Sequence, residues 1–225
     1  MRCVRFEEQG RARIGFIDGD VIRAVYGSID TYWRMTEEVF PLAGAKLLAP
    51  CVPKQIICVG FNYRDHAREF HVDVPKEPAL FTKAAHTVIG NDGKIIYPRQ
   101  SHEVVYEAEL GVVIKKRMKD VAPEDVPDYI LGYTCANDVT ARDLQLSDVQ
   151  WLLSKSFDTF CPLGPWLETD LDPTDLSIKL YLNGQLKQNG RTSDMVYNPY
   201  EILSYISQSM TLDAGDLILT GTPMG

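Results

Sequence analysis

Residues 104–114 read VVYEAELGVVI, and the interpretation of the chain starts from this stretch. Its even positions are all apolar, so a strand here has one continuous core face. The other face carries Glu107 and Glu109, whose Cα atoms would lie roughly 6.5 to 7 Å apart. On a buried strand two such carboxylates repel each other, so either one takes up a proton, or a basic side chain or a cation lies between them. On an exposed strand the same pair would simply be solvated.

Composition and charge exclude several classes of protein. The chain has 225 residues, a formal net charge of −8 and a pI near 5.0, so a basic nucleic-acid surface is not expected. No apolar run approaches the roughly 20 residues of a membrane span. The N-terminus has no signal-peptide core, which predicts a cytoplasmic protein. The five scattered cysteines form no CxxC pair and are interpreted as reduced core residues.

The first fifty residues predict a small β-rich domain. Residues 1–26 read as a β meander with a hairpin signal at Asp18-Gly19. Residues 32–40 are interpreted as short helical pieces. Pro50 and Pro53 bracket a boundary, so the predicted domains are 1–50 and 51–225.

The larger segment combines short strands with few helices. Its predicted elements are strands over 55–59, 78–82, 94–97, 129–137 and 217–220, helices over 65–70 and 139–148, a long loop over 154–166, a hairpin over 176–188, and a helix opened by Asn198, Pro199 and Glu201. Asp138 or Thr140 would cap the helix over 139–148. Because regular βαβ alternation is lacking, the pattern predicts a mixed α+β fold dominated by curved sheet.

Three carboxylates lie in or directly after consecutive predicted strands: Glu107, Glu109 and Asp138. Consecutive strands are usually neighbours, so these side chains are expected to converge. An all-oxygen set selects a hard cation such as Mg²⁺, Mn²⁺ or Ca²⁺ over zinc, and three protein ligands leave positions for water and substrate. Three acids near an apolar run also occur by chance, so this pattern needs independent support.

A second candidate group surrounds His66. His66 and Glu69 lie three apart on the predicted short helix, where the carboxylate would orient the imidazole as a general base. The proline-rich stretch after them predicts an exposed loop suited to a lid. Lys155, Arg142 and Gln145 are natural donors to a substrate carboxylate. Taken singly, each of these residues is more simply explained as solvated surface.

Five segments carry a family resemblance. They are CVGFNYRDHAREF (58–70), VVYEAELGVVI (104–114), CANDVTARDLQ (135–145), SKSFDTFCPLGPW (154–166) and NGQLKQNGRTSDMVYNPYEILSYISQSMTLDAGDLILTGTP (183–223). In order and spacing they resemble the fumarylacetoacetate hydrolase family, from about residue 50 onward. The resemblance implies a mixed β-barrel-like roll behind a small N-terminal domain, usually in a homodimer.

The resemblance also implies roles for individual residues. Glu107, Glu109 and Asp138 resemble ligands of Mg²⁺ or Mn²⁺. The implied catalytic residues are His66, Glu69 and Lys155, and the implied substrate-binding residues are Arg142, Gln145 and Thr222. Family members normally continue past the Gly221-Thr222-Pro223 turn with further strands. The sequence lacks those strands, so we expect either a fragment or a barrel that closes differently, with a weaker wall behind Thr222.

Together these features predict a metal-dependent enzyme acting on a small 2-oxo acid through a metal-stabilised enolate. Retention of both His66 and Glu69 favours hydrolysis of a C–C bond, as in acylpyruvases, or decarboxylation of oxaloacetate. The alternative is tautomerisation of oxaloacetate or isomerisation of a hydroxymuconate-type diacid, which needs only proton movement. A non-catalytic metal-binding protein of the same fold is the rival from another class.

Overall fold

The computed structural model describes residues 1–29 and 31–225. The strands are β1 (Arg2–Glu8), β2 (Arg11–Asp18), β3 (Val21–Gly27), β4 (Trp33–Pro41), β5 (Lys46–Leu48), β6 (Ile56–Gly60), β7 (Ala79–Lys83), β8 (Val88–Ile89), β9 (Val104–Val105), β10 (Ala108–Ile114), β11 (Ile130–Asn137), β12 (Thr140–Ala141), β13 (Cys161–Glu168), β14 (Ser177–Leu182), β15 (Gln185–Arg191) and β16 (Leu217–Leu219). The α-helices are α1 (Arg64–Glu69), α2 (Arg142–Ser147), α3 (Leu152–Lys155) and α4 (Pro199–Ser209). Short 3₁₀ helices cover Ala85–Thr87, Pro123–Tyr129 and Thr192–Asp194.

One large mixed sheet organises the molecule. Its strands lie in the order β4-β3-β2-β1-β13-β11-β10-β16-β6-β7, with β5 paired to β1 and β8 to β13. The β16–β6 and β13–β8 pairs are parallel, and the other pairs are antiparallel. Within the described residues β4 and β7 form the two ends of this path, so the sheet is open and not a closed barrel. The predicted mixed α+β, sheet-dominated fold is confirmed.

β10 is buried on both faces, which explains its nearly continuous apolar sequence. Leu110, Val112 and Ile114 pack in a core with the apolar side of α4. Val113 faces a second core that also contains buried residues of β6, β13 and β16. Glu107 and Glu109 therefore lie at the N-terminal end of a fully buried strand.

The predicted strand over 104–114 is not continuous. β9 ends at Val105 and pairs with β12, whereas β10 begins at Ala108 and pairs with β11 and β16. Tyr106 and Glu107 lie between the two strands. The single core face expected from alternation is wrong for this reason, since the chain changes pairing partner just before the acidic pair.

The helical pieces predicted over 32–40 are wrong, because this segment is strand β4. β4 pairs antiparallel with β3. Aromatic contacts anchor both of its ends: Trp33 packs on Phe16 with ring centroids 4.9 Å apart, and Phe40 packs on Phe6 at 5.2 Å. Cross-strand packing of this kind overrides local helix propensity.

Three further predictions need correction. Residues 94–97 form no strand, and Ile95, Ile96 and Tyr97 are exposed. The helix predicted over 139–148 begins only at Arg142, without a capping side chain, because residues 140–141 pair as β12. The loop predicted over 154–166 contains the end of α3 and most of β13, which pairs with β1 and β11.

Other local predictions are confirmed. Helix α1 covers the predicted position of His66 and Glu69. Asn183 and Gly184 take positive φ values of 52° and 77° in the turn between β14 and β15. Asn198 caps α4, with Glu201 completing a capping box.

The cysteines follow the prediction with one exception. All five are free thiols, and Cys3, Cys51, Cys58 and Cys161 are buried. Burial raises the pKa of Cys3 and of Cys51 to about 12, as expected for thiols in an apolar core. Cys135 is exposed, so its interpretation as a core residue is wrong. No helix in the described part of the chain has the length and apolarity needed to cross a bilayer.

Candidate active site

Glu107, Glu109 and Asp138 converge on one point. One carboxylate oxygen from each lies within 4.8 Å of the others. All three residues are buried, with relative exposures of 5%, 5% and 0%. The expected convergence is confirmed, and the alternative of solvated glutamates is excluded for this pair.

The pairing of β10 with β11 produces this arrangement. Ala108 is opposite Asn137 in the register, so Glu107 just before β10 lies beside Asp138 just after β11. Asp138 N donates to the carbonyl oxygen of Glu107 (2.8 Å), and Glu107 N donates to Asn137 Oδ1 (2.9 Å). The ends of two neighbouring strands therefore hold the acidic side chains together.

Three basic side chains surround the carboxylates. Lys155 Nζ lies 2.7 Å from Glu107 Oε2 and 2.5 Å from Asp138 Oδ2. Arg142 Nη2 lies 2.7 Å from Glu107 Oε1. Lys83 Nζ lies 2.6 Å from Asp138 Oδ1 and also donates to the carbonyl of Val139 (3.0 Å). Glu107 and Asp138 thus each have two basic partners.

Glu109 has a different environment from the other two acids. Among the described residues it forms no ion pair, and Gly221 N donates to its Oε2 at 2.7 Å. Gly221 has φ +97° and lies so close to Asn62 that a Cβ would come within 2.8 Å of the Asn62 Cβ, so this close approach requires glycine. Glu109 is therefore the carboxylate that a bound cation would compensate.

The pKa shifts follow from these contacts. Burial alone raises the pKa of Glu107, but the charges of Lys155 and Arg142 outweigh it and lower that pKa to about 2. Burial, together with the charges of Asp138 and Glu107, holds the pKa of Glu109 well above its usual range. Burial lowers the pKa of Lys155, but Asp138 and Glu107 reverse the effect and raise it above its usual value. The ammonium group of Lys155 therefore lies between Glu107 and Asp138, whereas Glu109 is the acid of the three that favours its protonated form.

His66 and Glu69 form the predicted pair. His66 Nδ1 lies 3.0 Å from Glu69 Oε2. The His66 side chain is 9% exposed and that of Glu69 is 37% exposed. The imidazole also packs against Phe61 and Phe70, with ring centroids 5.9 and 4.9 Å away. Because the carboxylate only accepts, a neutral imidazole in this contact carries its proton on Nδ1 and has Nε2 as its acceptor nitrogen.

Two adjacent pockets with shared lining residues lie at this site. The inner one has a volume of about 20 Å³, enough for one water or one ion. It is lined by His66, Glu107, Glu109, Arg142, Gln145, Lys155 and Thr222, together with Phe61, Phe81 and Trp151. The outer one, of about 400 Å³, shares His66, Glu107, Arg142 and Thr222 with it and adds Glu69, Phe70 and Gln188. This volume is within the range of small-molecule sites.

The structure brings all nine predicted site residues together. Seven line the inner pocket, Glu69 lines the outer one, and Asp138 lies behind Lys155. Arg142 and Gln145 share a helix face as expected, with Arg142 Nη1 donating to Gln145 Oε1. Thr222 is buried and donates to the carbonyl of Ala108 (2.9 Å), so its side of the pocket is well supported. The roles assigned to these residues remain predictions.

Sequence reasoning missed Lys83 and Gln188. Lys83 is the last residue of β7 and has a side chain with 0% exposure, yet β7 lies at the end of the sheet path opposite to β4. Gln188 is in the hairpin and contacts β10. Neither residue lies in a recognisable local motif, so the sequence gives no signal that these two side chains belong to the site. Both contacts depend on tertiary structure.

Two family models together match nearly the whole chain. Residues 55–225 match the family model described as fumarylacetoacetate (FAA) hydrolase C-terminal, and residues 1–50 match one described as Rv2993c-like, N-terminal. An uncharacterized protein of Archaeoglobus fulgidus is 51% identical over 185 residues, covering 82% of this chain and 74% of the relative. Oxaloacetate tautomerase FAHD2B, mitochondrial, of Bos taurus is 43% identical over 228 residues, covering 99% of this chain and 69% of the relative.

A solved structure is similar over the whole chain. It is the 2-hydroxyhepta-2,4-diene-1,7-dioate isomerase of Mycobacterium marinum, with a TM-score of 0.92 and 39% identity, covering 100% of this chain and 88% of that one. The family model spans more than half of the sequence, and the acids and bases of the site lie within that span. The chain therefore belongs to the fumarylacetoacetate hydrolase family.

Proposed function

We propose that this protein is a divalent-metal-dependent enzyme that interconverts the keto and enol forms of a 2-oxo diacid such as oxaloacetate. The observation that carries the proposal is the placement of His66 and three buried carboxylates around one small pocket. Similarity to an oxaloacetate tautomerase over 99% of the chain, and to a dioate isomerase over all of it, supports proton movement over bond cleavage. Relative to our expectation from sequence, the preferred reaction moves from bond cleavage to proton movement.

The carboxylate cluster fits a hard divalent cation. The donor set contains only oxygen, and Glu109 lacks a basic partner in the described chain, so a cation would complete its charge balance. Glu107, Glu109 and Asp138 would hold Mg²⁺ or Mn²⁺, with Ca²⁺ as a further candidate. Such an ion supplies Lewis acidity, which stabilises negative charge that develops on a substrate oxygen.

His66 is the residue proposed to move the proton. In the keto-to-enol direction Nε2 accepts a proton from the carbon next to the keto group and then delivers it to the enolate oxygen, which becomes the enol hydroxyl and leaves His66 neutral again. Glu69 holds Nδ1 and stabilises the imidazolium that forms in between. The reverse direction returns the proton from Nε2 to carbon.

Arg142 and Gln145 are proposed to bind a substrate carboxylate. Both line the inner pocket, and Arg142 also lines the outer one. The guanidinium lies 4.6 Å from the ring centroid of Phe70, so it is held between the aromatic face and Glu107. Lys155 donates to Glu107 and Asp138, so its proposed contribution is to keep positive charge at the closed end of the pocket.

The test measures the rate at which the ultraviolet absorbance of enol oxaloacetate changes, in the presence of Mn²⁺ or of EDTA. The rate of the uncatalysed reaction is subtracted. We expect metal-dependent turnover by the wild-type chain, its loss in Glu109→Ala, and a fall of about 100-fold or more in His66→Ala because the general base is removed. His102→Ala, which changes an exposed histidine, is the matched control. Unchanged turnover in Glu109→Ala and His66→Ala would overturn the proposal.

Cleavage of a C–C bond is the second candidate, favoured by the complete His66–Glu69 pair. In acylpyruvate hydrolysis His66 would activate a water against the distal carbonyl, and in decarboxylation the carboxylate would leave as CO₂. Both reactions release pyruvate, which a coupled dehydrogenase assay detects. Pyruvate release from acetylpyruvate or oxaloacetate faster than enol conversion would favour this candidate.

The homodimer and the cytoplasmic location also belong to the proposal. An apolar groove of about 640 Å³ beside β11, β13 and β14 supports contact with a second copy, since exposed apolar surface of this kind marks interaction sites. Light scattering after size-exclusion chromatography measures the assembly. Fractionation of the source cells tests the location, and recovery of the protein with mitochondria, the compartment named for the Bos taurus relative, would overturn it.

A further inference from the structure

Strand β15 has an unusual burial pattern. Of its seven residues only Gln188 is buried, with 2% of its surface exposed, while Gln185, Lys187 and Asn189 on the same strand are exposed. A buried amide costs free energy unless its polar atoms are hydrogen-bonded. The partners of the Gln188 amide lie outside the hairpin.

The Gln188 amide links two parts of the candidate site. Its Oε1 accepts from Ala108 N at 2.8 Å. Its Nε2 donates to Thr222 Oγ1 and to the carbonyl of Pro223, each at 2.8 Å. Both N–H groups and the carbonyl oxygen are thus used, so the amide has one favoured orientation.

These contacts fall at the position between Glu107 and Glu109. Thr222 Oγ1 donates to the carbonyl of Ala108 at 2.9 Å, so the N–H and the C=O of Ala108 are both held through Gln188 and Thr222. Immediately before, Glu107 N is held by the Asn137 side chain. Side-chain amides therefore hold the backbone at the point where the chain passes from β9 to β10.

Movement of Ala108 would displace both carboxylates, because each is attached to a neighbouring residue. Movement of Thr222 would displace the turn whose Gly221 N donates to Glu109. Gln188 is bonded to both Ala108 and Thr222, and it reaches them from a hairpin that is not part of the large sheet. One side chain thus bridges the acidic strand and the turn that contains Gly221 and Thr222.

We propose that Gln188 is a positioning residue that holds Glu107 and Glu109 at the separation needed to bind the cation. It acts through the backbone of Ala108 and the hydroxyl of Thr222, and not by contact with the reacting atoms. This inference rests on the proposed function in one respect, namely that the carboxylates bind a divalent ion.

The experiment measures Mn²⁺ binding by titration calorimetry with the full chain, at a temperature well below the unfolding midpoint of every variant. Gln188→Met keeps the length of the side chain and removes all three hydrogen bonds. We expect the Mn²⁺ Kd to rise about 10- to 100-fold, the range typical of residues that orient metal ligands. Gln185→Met makes the same change at an exposed position of the same strand and is expected to leave Kd unchanged.

A second variant covers the case in which Gln188→Met does not fold. Gln188→Asn keeps the amide but shortens the side chain by one methylene, so it cannot span from β15 to both partners, and Kd is again expected to rise. A lower unfolding midpoint with an unchanged Kd in a folded variant would show a purely structural role and overturn the inference. A wild-type chain that binds Mn²⁺ but converts no 2-oxo acid would overturn the proposed function. The Kd values of the Gln188 variants would still test the positioning role. A wild-type chain that binds no Mn²⁺ would overturn both.

Discussion

At the scale of single residues the candidate site is a balance of buried charges. Three carboxylates lie next to three basic side chains. Lys155 Nζ bonds to one oxygen of Glu107 and to one oxygen of Asp138. A buried charge is tolerated when it is paired, so removal of one partner leaves the other as an unpaired buried charge and destabilises the fold. Lys83 illustrates this well, because it supports Asp138 from behind the pocket without lining it.

We expect Lys83→Met to lower the free energy of unfolding by about 3 kcal/mol, because it leaves one side of a buried carboxylate without its partner. Urea denaturation of the metal-free chain measures this loss. Lys46→Met breaks an exposed pair of similar length, 2.8 Å against 2.6 Å, and is expected to cost about 0.5 kcal/mol or less. Equal losses in the two variants would show that burial of the Lys83–Asp138 pair is unimportant.

Among the helices and strands, local sequence is a reliable guide where a side chain bonds to backbone groups a few residues away. Helix α4 begins where Asn198, Pro199 and Glu201 predict, because the Asn198 side chain accepts from Tyr200 N and Glu201 N. Strand β4 shows the opposite, since aromatic anchors and pairing with β3 override its local propensity. α4 also packs its apolar side against β10, so its stability contributes to the support beneath the site.

We expect Asn198→Ala to lower the free energy of unfolding by about 1 kcal/mol, because two backbone N–H groups of the first turn lose their acceptor. Chemical denaturation followed by circular dichroism measures the change. Gln208→Ala alters an exposed residue of the same helix and is expected to be neutral or slightly stabilising, since alanine has the higher helix propensity. No difference between the two variants would argue against the capping box as a source of stability.

At the scale of the whole molecule the large sheet brings distant segments to one pocket. β10, β11, β16, β6 and β7 are neighbours in the sheet. These strands and the segments directly before or after them supply the acids, the Gly221–Thr222 turn, His66 and Lys83. Occupation of such a pocket by an ion would connect several elements at once. Ligand binding to the folded state alone stabilises it by mass action.

We expect Mg²⁺ or Mn²⁺ at about 100 times its Kd to stabilise the chain by about 2.7 kcal/mol, seen as a higher unfolding midpoint that EDTA reverses. Glu109→Ala should lose the response, because it removes one of the three oxygen ligands. Glu103→Ala changes an exposed carboxylate on the rim of the outer pocket and should keep it. A midpoint that does not respond to either ion in the wild-type chain would contradict the metal site.

Local sequence was sufficient to predict the short helix with His66 and Glu69, the hairpin turn and the start of α4. Each depends on side-chain spacing or on a hydrogen bond to a nearby backbone group, which a linear reading detects. The break after Val105, the strand character of β4 and the contacts of Lys83 and Gln188 could be seen only in the folded chain. These depend on which strands become neighbours, because a strand's pairing partners and the far end of a long side chain lie outside any local window.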